Sequence, residues 1–389
     1  MQVSRARFLV SRAGREALGG LPGDIAGLTA HRLAEDLRRS FAPEDAAALG
    51  EQITLRAKAS ERWGADHGFL YSAEGLEMMT HPLVAERRAL RLASLGLPVA
   101  DLTCGLGGDL RAILGTGTGA SGIERDEATA LLASANVTGR VARGDATRPP
   151  VDLSTVAILL DPTRRSGVSR RFDPAAFSPP WDVTLELARA ARAGVVKGPP
   201  GIDLKHVPPA AEVEFVQLGR SLRECALWLG EGSASGLRRA VLLGGGALDS
   251  TAPEAAAECA EPGPFIFDPE SCVTRAGLVR HLAHVLGAQL MDPQVAYLTG
   301  PRPEIHPMAA TFEVLEALPF SLSRLKARLR ERSWRPDEVR RRAFPVEPDE
   351  LRRLLGRLEG ERVALLCTTI AGRRTVFVAR RVMAPGRIA

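Results

Sequence analysis

From residue 97 to about 246 the chain repeats one pattern, a short apolar run that stops on Gly or Asp followed by an Ala- and Leu-rich stretch of helical period. The runs are LPVADLTC, ASGIERD, VARGDA, VAILLDP, AGVVKGPPG, AEVEFVQ, ECALWLG and RRAVLLGGG. Apolar strands separated by helices bury both their faces only as a mostly parallel sheet with helices on either side. The expected class is therefore α/β, a doubly wound sheet. Ahead of it, apolar positions recur at helical spacing through GDIAGLTAHRLAEDLRR and PLVAERRALRLASLG, with no β-branched run, which predicts a helical N-terminal region. Behind it, LDSTAPEAAAECAEPGP reads as a linker. FIFDPESCVTRAGLVRHLAHVLGAQLM then reads as a strand, a turn and an amphipathic helix, with short strands to about Phe320. The end supplies RLKARLRER, a helix capped near Asp349, and the strands VALLCTTI and RTVFVARRV hinged at Ala371-Gly372. No internal repeat is visible.

With 389 residues, two to four domains are expected, and 45% hydrophobic with 25% charged residues excludes a mainly disordered chain. The net charge of +5 is unevenly spread. Residues 321–389 hold 18 basic and 8 acidic side chains, a net +10, so the preceding 320 carry −5. Only four basic residues are lysines, at 58, 197, 205 and 326. Codon bias in a GC-rich genome accounts for part of this, but arginine also forks onto phosphate in a way lysine cannot, and each remaining lysine draws attention. The five cysteines, 104, 225, 259, 272 and 367, include no C-x-x-C pair and are odd in number, which argues against a disulfide framework or a zinc site and fits a reducing cytoplasm. His67, His81 and His206 form no ligand spacing, and His281 with His284 lack a third partner, so no metal is expected. The opening MQVSRARFLVSRAG lacks the apolar core of a signal peptide, and no window approaches 18 apolar residues. A soluble, cytoplasmic chain with no membrane partner is expected.

The segment Asp101-Leu-Thr-Cys-Gly-Leu-Gly-Gly-Asp109 closes a strand and opens a helix, where a parallel sheet presents its ligand crevice. Gly105 and Gly107 let the backbone turn tightly beside a ligand. A nicotinamide fingerprint needs a third glycine where Leu110 stands, and an acid at the strand end is wrong for a pyrophosphate. Asp101 suits a ligand that is cationic or rich in donors.

This arrangement resembles motif I of the class I S-adenosylmethionine (SAM) methyltransferases, acid-x-x-x-Gly-x-Gly, with Thr103 inside the loop. The resemblance continues along the sheet. Glu124 ends the second strand, where such enzymes place a carboxylate on the ribose hydroxyls, and Asp145 follows the third, where they hold the adenine amine. Asp161-Pro-Thr-Arg-Arg165 follows the fourth, where base-methylating members carry D/N-P-P-Y/F. One such acid is as well explained as a helix cap; four in order are not. The flanks LRAKASERWG, DLTCGLGGD, DPTRR and VVKGPPGID, with the arginine-rich end, look like bacterial methyltransferases with a THUMP-like C-terminal domain. That family implies a helical N-terminal region (1–92), a Rossmann-like class I methyltransferase core (93–250), a small ferredoxin-like α+β domain (262–320) and a THUMP-like basic domain (321–389). It also implies SAM as cofactor and RNA as substrate.

Methyl transfer from a sulfonium is an in-line displacement in which the enzyme orients two reactants and excludes water. Asp161 is the candidate to aim an acceptor nitrogen, with the Pro162 carbonyl assisting. Thr163 and Arg164 replace the usual second proline and aromatic, so no ring at 164 can stack on a base. Arg164 and Arg165 either clamp a substrate phosphate or pair with acids on the next helix. Lys197, after the fifth strand, is a second catalytic candidate. It neutralises Asp161, binds substrate, or pairs with Asp203. Ser178-Pro-Pro-Trp-Asp182 invites a reading as the missing S/D-P-P-W motif, but it stands far after the fourth strand and reads better as a loop entering a helix, with Trp181 still able to supply a stacking surface; Cys104 reads as a small buried residue. The stretch from Leu55 to Pro82 is expected to form part of a lid, in which Glu77, Met78 and Met79 serve as core and cap residues.

In the basic end, arginines cluster at 340–342, 352–353, 373–374 and 380–381, with Trp334, Phe344 and Phe377 between them. Solvated charge on a helix face accounts for any one pair. The clustering suits structured or single-stranded RNA, with Arg341, Arg373 and Arg374 as contacts. The chain thus reads as a methyltransferase acting on a base nitrogen of tRNA or rRNA. Alternatives are a small-molecule or protein methyltransferase, and a non-catalytic RNA-binding protein with a degenerate core.

Overall fold

The computed structural model describes residues 1–20, 30–64, 68–164 and 173–383. Six helices come first, α1 (Val3–Val10), α2 (Arg12–Gly19), α3 (Ala30–Ser40), α4 (Pro43–Trp63), α5 (Ala73–Met78) and α6 (Pro82–Ala93). Alternation follows with β1 (Val99–Asp101), α7 (Gly108–Gly115), β2 (Ala120–Glu124), α8 (Glu127–Asn136), β3 (Val141–Arg143), β4 (Ala157–Leu160), β5 (Thr163–Arg164), β6 (Phe177–Ser178), α9 (Trp181–Ala190), β7 (Ala193–Gly198), β8 (Glu212–Leu218), β9 (Ser221–Gly230), β10 (Arg238–Leu243) and β11 (Gly246–Asp249). The chain forms two compact units, one of residues 1–212 and 225–236, the other of 213–224 and 237–389.

In the first unit β3, β2, β1, β4 and β7 lie side by side in that order, all parallel, and β9 runs antiparallel along β7. Every residue of β4 and β7 is buried, as expected for strands covered on both faces. Leu97, Val99, Ile113, Leu159, Val195 and Trp228 share the core behind them. The strand order departs in opposite directions from β1 and β4, which opens a crevice at their carboxyl ends.

The N-terminal helices are continuous with this core. Leu9, Leu49, Ile53 and Tyr71 pack with Leu106 and with Leu132 of α8. Fully buried Gln52 takes both backbone groups of Tyr71, donating to its carbonyl and accepting its N–H. Asn136 does the same for Leu70 and also donates to the Leu106 carbonyl, so the approach to the glycine loop is stitched to α8.

In the second unit β8 pairs parallel with β10, and β10 antiparallel with β11. Beyond these come β12 (Phe265–Pro269), α10 (Ser271–Arg275), α11 (Val279–Leu286), β13 (Gln289–Asp292), β14 (Val295–Gly300), β15 (Ala309–Pro319), α12 (Leu322–Glu331), β16 (Trp334–Arg342), α13 (Pro348–Leu355), β17 (Glu361–Ile370) and β18 (Arg373–Val382). The last seven strands form one sheet, β13-β14-β12-β15-β18-β17-β16, antiparallel except between β16 and β17. Two elements differ from expectation. α10 stands where a turn was expected, and the arginine run 340–342 belongs to the edge strand β16. Among the described residues no helix is long and apolar enough to cross a membrane.

Candidate active site

The crevice at the carboxyl ends of β1, β2 and β4 is a cleft of about 530 Å³. Seven carboxylates line it, those of Glu74, Asp101, Asp109, Glu124, Asp126, Asp145 and Asp161, beside Arg125. Such a lining favours a cationic ligand. Between β1 and α7 the chain turns on Gly105 (φ +53°) and Gly107 (φ +86°), in the left-handed region where a side chain is strained. A Cβ on Gly105 would meet no atom within 4 Å, so the glycine leaves open room at the cleft wall.

The four acids at the strand ends all border this cleft. Asp101, only 2% exposed, accepts the Thr103 N–H at 3.2 Å. Burial, reinforced by the nearby charge of Asp109, pushes its carboxyl up to about 8. Glu124 accepts the N–H of Gly105 at 3.1 Å and that of Asp126 at 2.9 Å, tying β2 to the glycine loop. Asp145 accepts the Thr147 amide and hydroxyl, each at 2.9 Å, and these bonds hold it below the usual carboxylate range. Asp161, with 39% of its side chain exposed, receives Lys197 Nζ on Oδ2, while its own N–H donates to Thr103 Oγ1 at 2.6 Å. Pro162 is buried, between Asp161 and Thr163, both of which line the cleft.

Lys197 does not pair with Asp203, which binds Lys205 at 2.9 Å. Its ammonium instead reaches Asp161, Asp109 Oδ2 at 3.3 Å and Thr80 Oγ1 at 2.6 Å. Thr80 also donates to Asp109 Oδ2 at 2.7 Å, and Arg88 closes on Asp109 Oδ1. Burial alone would raise Asp109, but Arg88 and Lys197 outweigh it and hold the carboxyl down at about 2. Sequence reading missed Thr80, Arg88 and Asp109. A signal was present for Arg88, because Val84, Ala85, Ala89 and Leu92 form the buried face of α6 and an arginine sits among them.

Ser178, Pro179 and Pro180, which their distance from the fourth strand in sequence argues against, do line the cleft with Asp161. The ribbon β5–β6, with Thr163 opposite Ser178 and Arg164 opposite Phe177, brings this distant segment back to the end of β4. Trp181 is no stacking surface. It is 3% exposed, packs on Phe177 with ring centroids 5.6 Å apart, and donates to the His206 carbonyl at 3.3 Å. Arg165 lies outside the described residues. Cys104 is buried, and burial keeps its thiol well above the ordinary range, as suits a packing residue. Met78 is exposed and lines the cleft, whereas Met79, the C-cap of α5, lines the cleft and also packs against the N-terminal core, as expected of it.

In the second unit Arg341 donates to the Phe344 carbonyl at 2.8 Å and to Glu347, whereas Arg373 and Arg374 are exposed at the start of β18. Arg340 and Arg342 converge on buried Asp268 at 2.6 and 2.8 Å. Phe344 and Phe377 are buried and offer no stacking face, and Trp334 is half-buried.

A parallel sheet of this order, with a glycine turn and an acid at each of four successive strand ends, defines a class I methyltransferase core. The comparisons agree. The chain is 34% identical over 295 residues to an uncharacterized S-adenosylmethionine-dependent methyltransferase of Mycobacterium tuberculosis, in both strain CDC 1551 and strain H37Rv, covering 72% of this chain and 80% of each relative. The fold matches the crystal structure of a candidate methyltransferase from Porphyromonas gingivalis W83, with a TM-score of 0.71 over 98% of both chains at 21% identity. Residues 309–381 match the THUMP domain-like family. The protein belongs to the S-adenosylmethionine-dependent methyltransferases. The open wall at Gly105 and the carboxylate lining fit that cofactor.

Proposed function

We propose that the protein methylates a base nitrogen of RNA, a tRNA or an rRNA. Bound S-adenosylmethionine supplies a methyl group on a sulfonium. In this reading Asp101, Thr103, Gly105 and Gly107 hold the methionine end, while Glu124 and Asp145 hold the ribose and the adenine. Among the described residues each oxygen of the glutamate accepts one N–H, so lone pairs remain for hydroxyls. Asp161 orients the acceptor. Its Oδ2 is taken by Lys197, which leaves Oδ1 to receive an N–H of the incoming base. With the Pro162 carbonyl beside it, the carboxylate aims the nitrogen lone pair, and Lys197 fixes the carboxylate. Pro179 and Pro180 supply an apolar wall where related enzymes use an aromatic. Arg164 and Arg165 are assigned to substrate phosphate.

The observation that carries the RNA reading is the net +10 of residues 321–389, most of which fall within the THUMP-like match, with Arg373 and Arg374 presented at its surface. The test compares nucleosides from RNA of wild-type cells and cells lacking the gene by mass spectrometry. One methylated nucleoside is expected to fall about tenfold or more, to return with the wild-type chain, and to stay absent with Asp161→Ala, whose affinity for S-adenosylmethionine stays within about fivefold. An unchanged profile removes RNA as substrate. A large loss of cofactor affinity would place Asp161 in the donor site.

A further inference from the structure

Lys197 is one of four lysines in the chain and lies near the end of a wholly buried strand, with 9% of its side chain exposed. A buried ammonium is costly unless its donors are taken and its charge is balanced. Asp161 alone would do this poorly, because its carboxylate is partly open to the cleft and shares itself with solvent or substrate. The second carboxylate, Asp109, stands behind the lysine and is differently placed. It is buried in the first turn of α7, where the helix dipole favours an anion, and its other oxygen is occupied by Arg88, 3% exposed on α6. Thr80, in the turn before α6, bonds both Lys197 Nζ and Asp109 Oδ2. Opposite Lys197 on the antiparallel neighbour β9 stands Ala226. The acids and cations of this group are thus Asp109, Arg88, Asp161, Lys197 and, at the end of β1, Asp101.

We propose that Asp109, clamped by Arg88, is a positioning residue for the active site: with Thr80 it anchors the Lys197 ammonium from behind, so that Lys197 grips one oxygen of Asp161 and leaves the other facing the acceptor. This rests on the reading of Asp161 as the acceptor-orienting group. It makes α6 and the turn before it part of the catalytic apparatus, because they furnish Arg88 and Thr80. Asp109 borders the cleft, but in this role it and Arg88 act on the acceptor through Lys197. The arrangement holds Lys197 in place when a substrate competes for Asp161, since its bonds to Thr80 and Asp109 stay with the protein interior.

The scarcity of lysine makes the test direct. In full-length protein carrying 15N-lysine, only four side-chain ammonium signals are possible, and the one that Lys197→Met removes belongs to Lys197. An anchored ammonium exchanges its protons slowly and is expected to be visible at neutral pH. In Asp109→Asn its exchange should quicken about tenfold or more, with the signals of Lys58, Lys205 and Lys326 unmoved. Should Asp109→Asn fail to fold, Thr80→Val removes one anchor without touching charge, and a several-fold quickening is expected. If either variant folds and leaves the Lys197 signal and its exchange as in the wild type, Asp161 holds the lysine unaided and the proposal falls. The measurement needs neither acceptor nor turnover, so it fails or succeeds independently of the RNA assignment.

Discussion

Asp101 has its carboxyl pushed up to about 8 by burial and by the charge of Asp109, so at neutral pH the free site holds it mostly protonated. A cationic ligand favours the ionised form and must displace that proton. Affinity for S-adenosylmethionine should therefore climb as pH rises toward about 8 and level off above it, a slope that calorimetry at pH 6 to 9 would reveal and that Asp101→Asn should flatten. Stability runs the other way. The unfolded carboxyl ionises near 3.9, so between roughly pH 4 and 8 the folded form holds the extra proton and stability falls by at most about 1.4 kcal/mol per pH unit. Positions such as Asp101, Glu124, Asp145 and Asp161 are readable in a lone sequence because each follows an apolar run that fixes where it lies. Asp109 and Arg88 are not readable that way. The first looks like an ordinary acid at a helix start, and the second, though the apolar face of α6 places it inward, finds its partner 21 residues away, which no local pattern specifies.

Among the elements, β16 shows where pattern reading stops. WRPDEVRRR shows no alternation, and only Val339 and Trp334 reach the core, because this strand lies at a sheet edge, where charge discourages further pairing. Its place is fixed by ion pairs that composition cannot show, Arg340 and Arg342 closing on Asp268 of β12. Both guanidiniums lose their shared partner in Asp268→Asn. The substitution should cost on the order of 3 kcal/mol in the urea transition of the C-terminal unit. A change under about 0.5 kcal/mol would mean that the β16–β17 ladder suffices. By contrast, β4 and β7 could be placed from their unbroken apolar runs, since strands buried on both faces have little other way to read. The ribbon β5–β6 was hidden because two paired residues at each end leave no period to detect.

For the molecule as a whole, the charge asymmetry survives with a different distribution of labour. Seven acids of the first unit line the cleft, whereas much of the basic end is engaged internally, Arg341 with Glu347, Arg380 with Glu361 and Arg381 with Glu338. Arg373 and Arg374 are exposed at the turn between β17 and β18. Replacing both with alanine should weaken binding of bulk tRNA and reduce the salt slope of log K by about 2, while Arg341→Ala should shift the slope by less than about 1. Equal effects would show that surface exposure does not select the contacts. The β5–β6 ribbon has one more consequence. By pairing Thr163 with Ser178 and Arg164 with Phe177 it fastens the end of β4, which carries Asp161, to the segment that carries Pro179, so whatever displaces one wall of the cleft displaces the other.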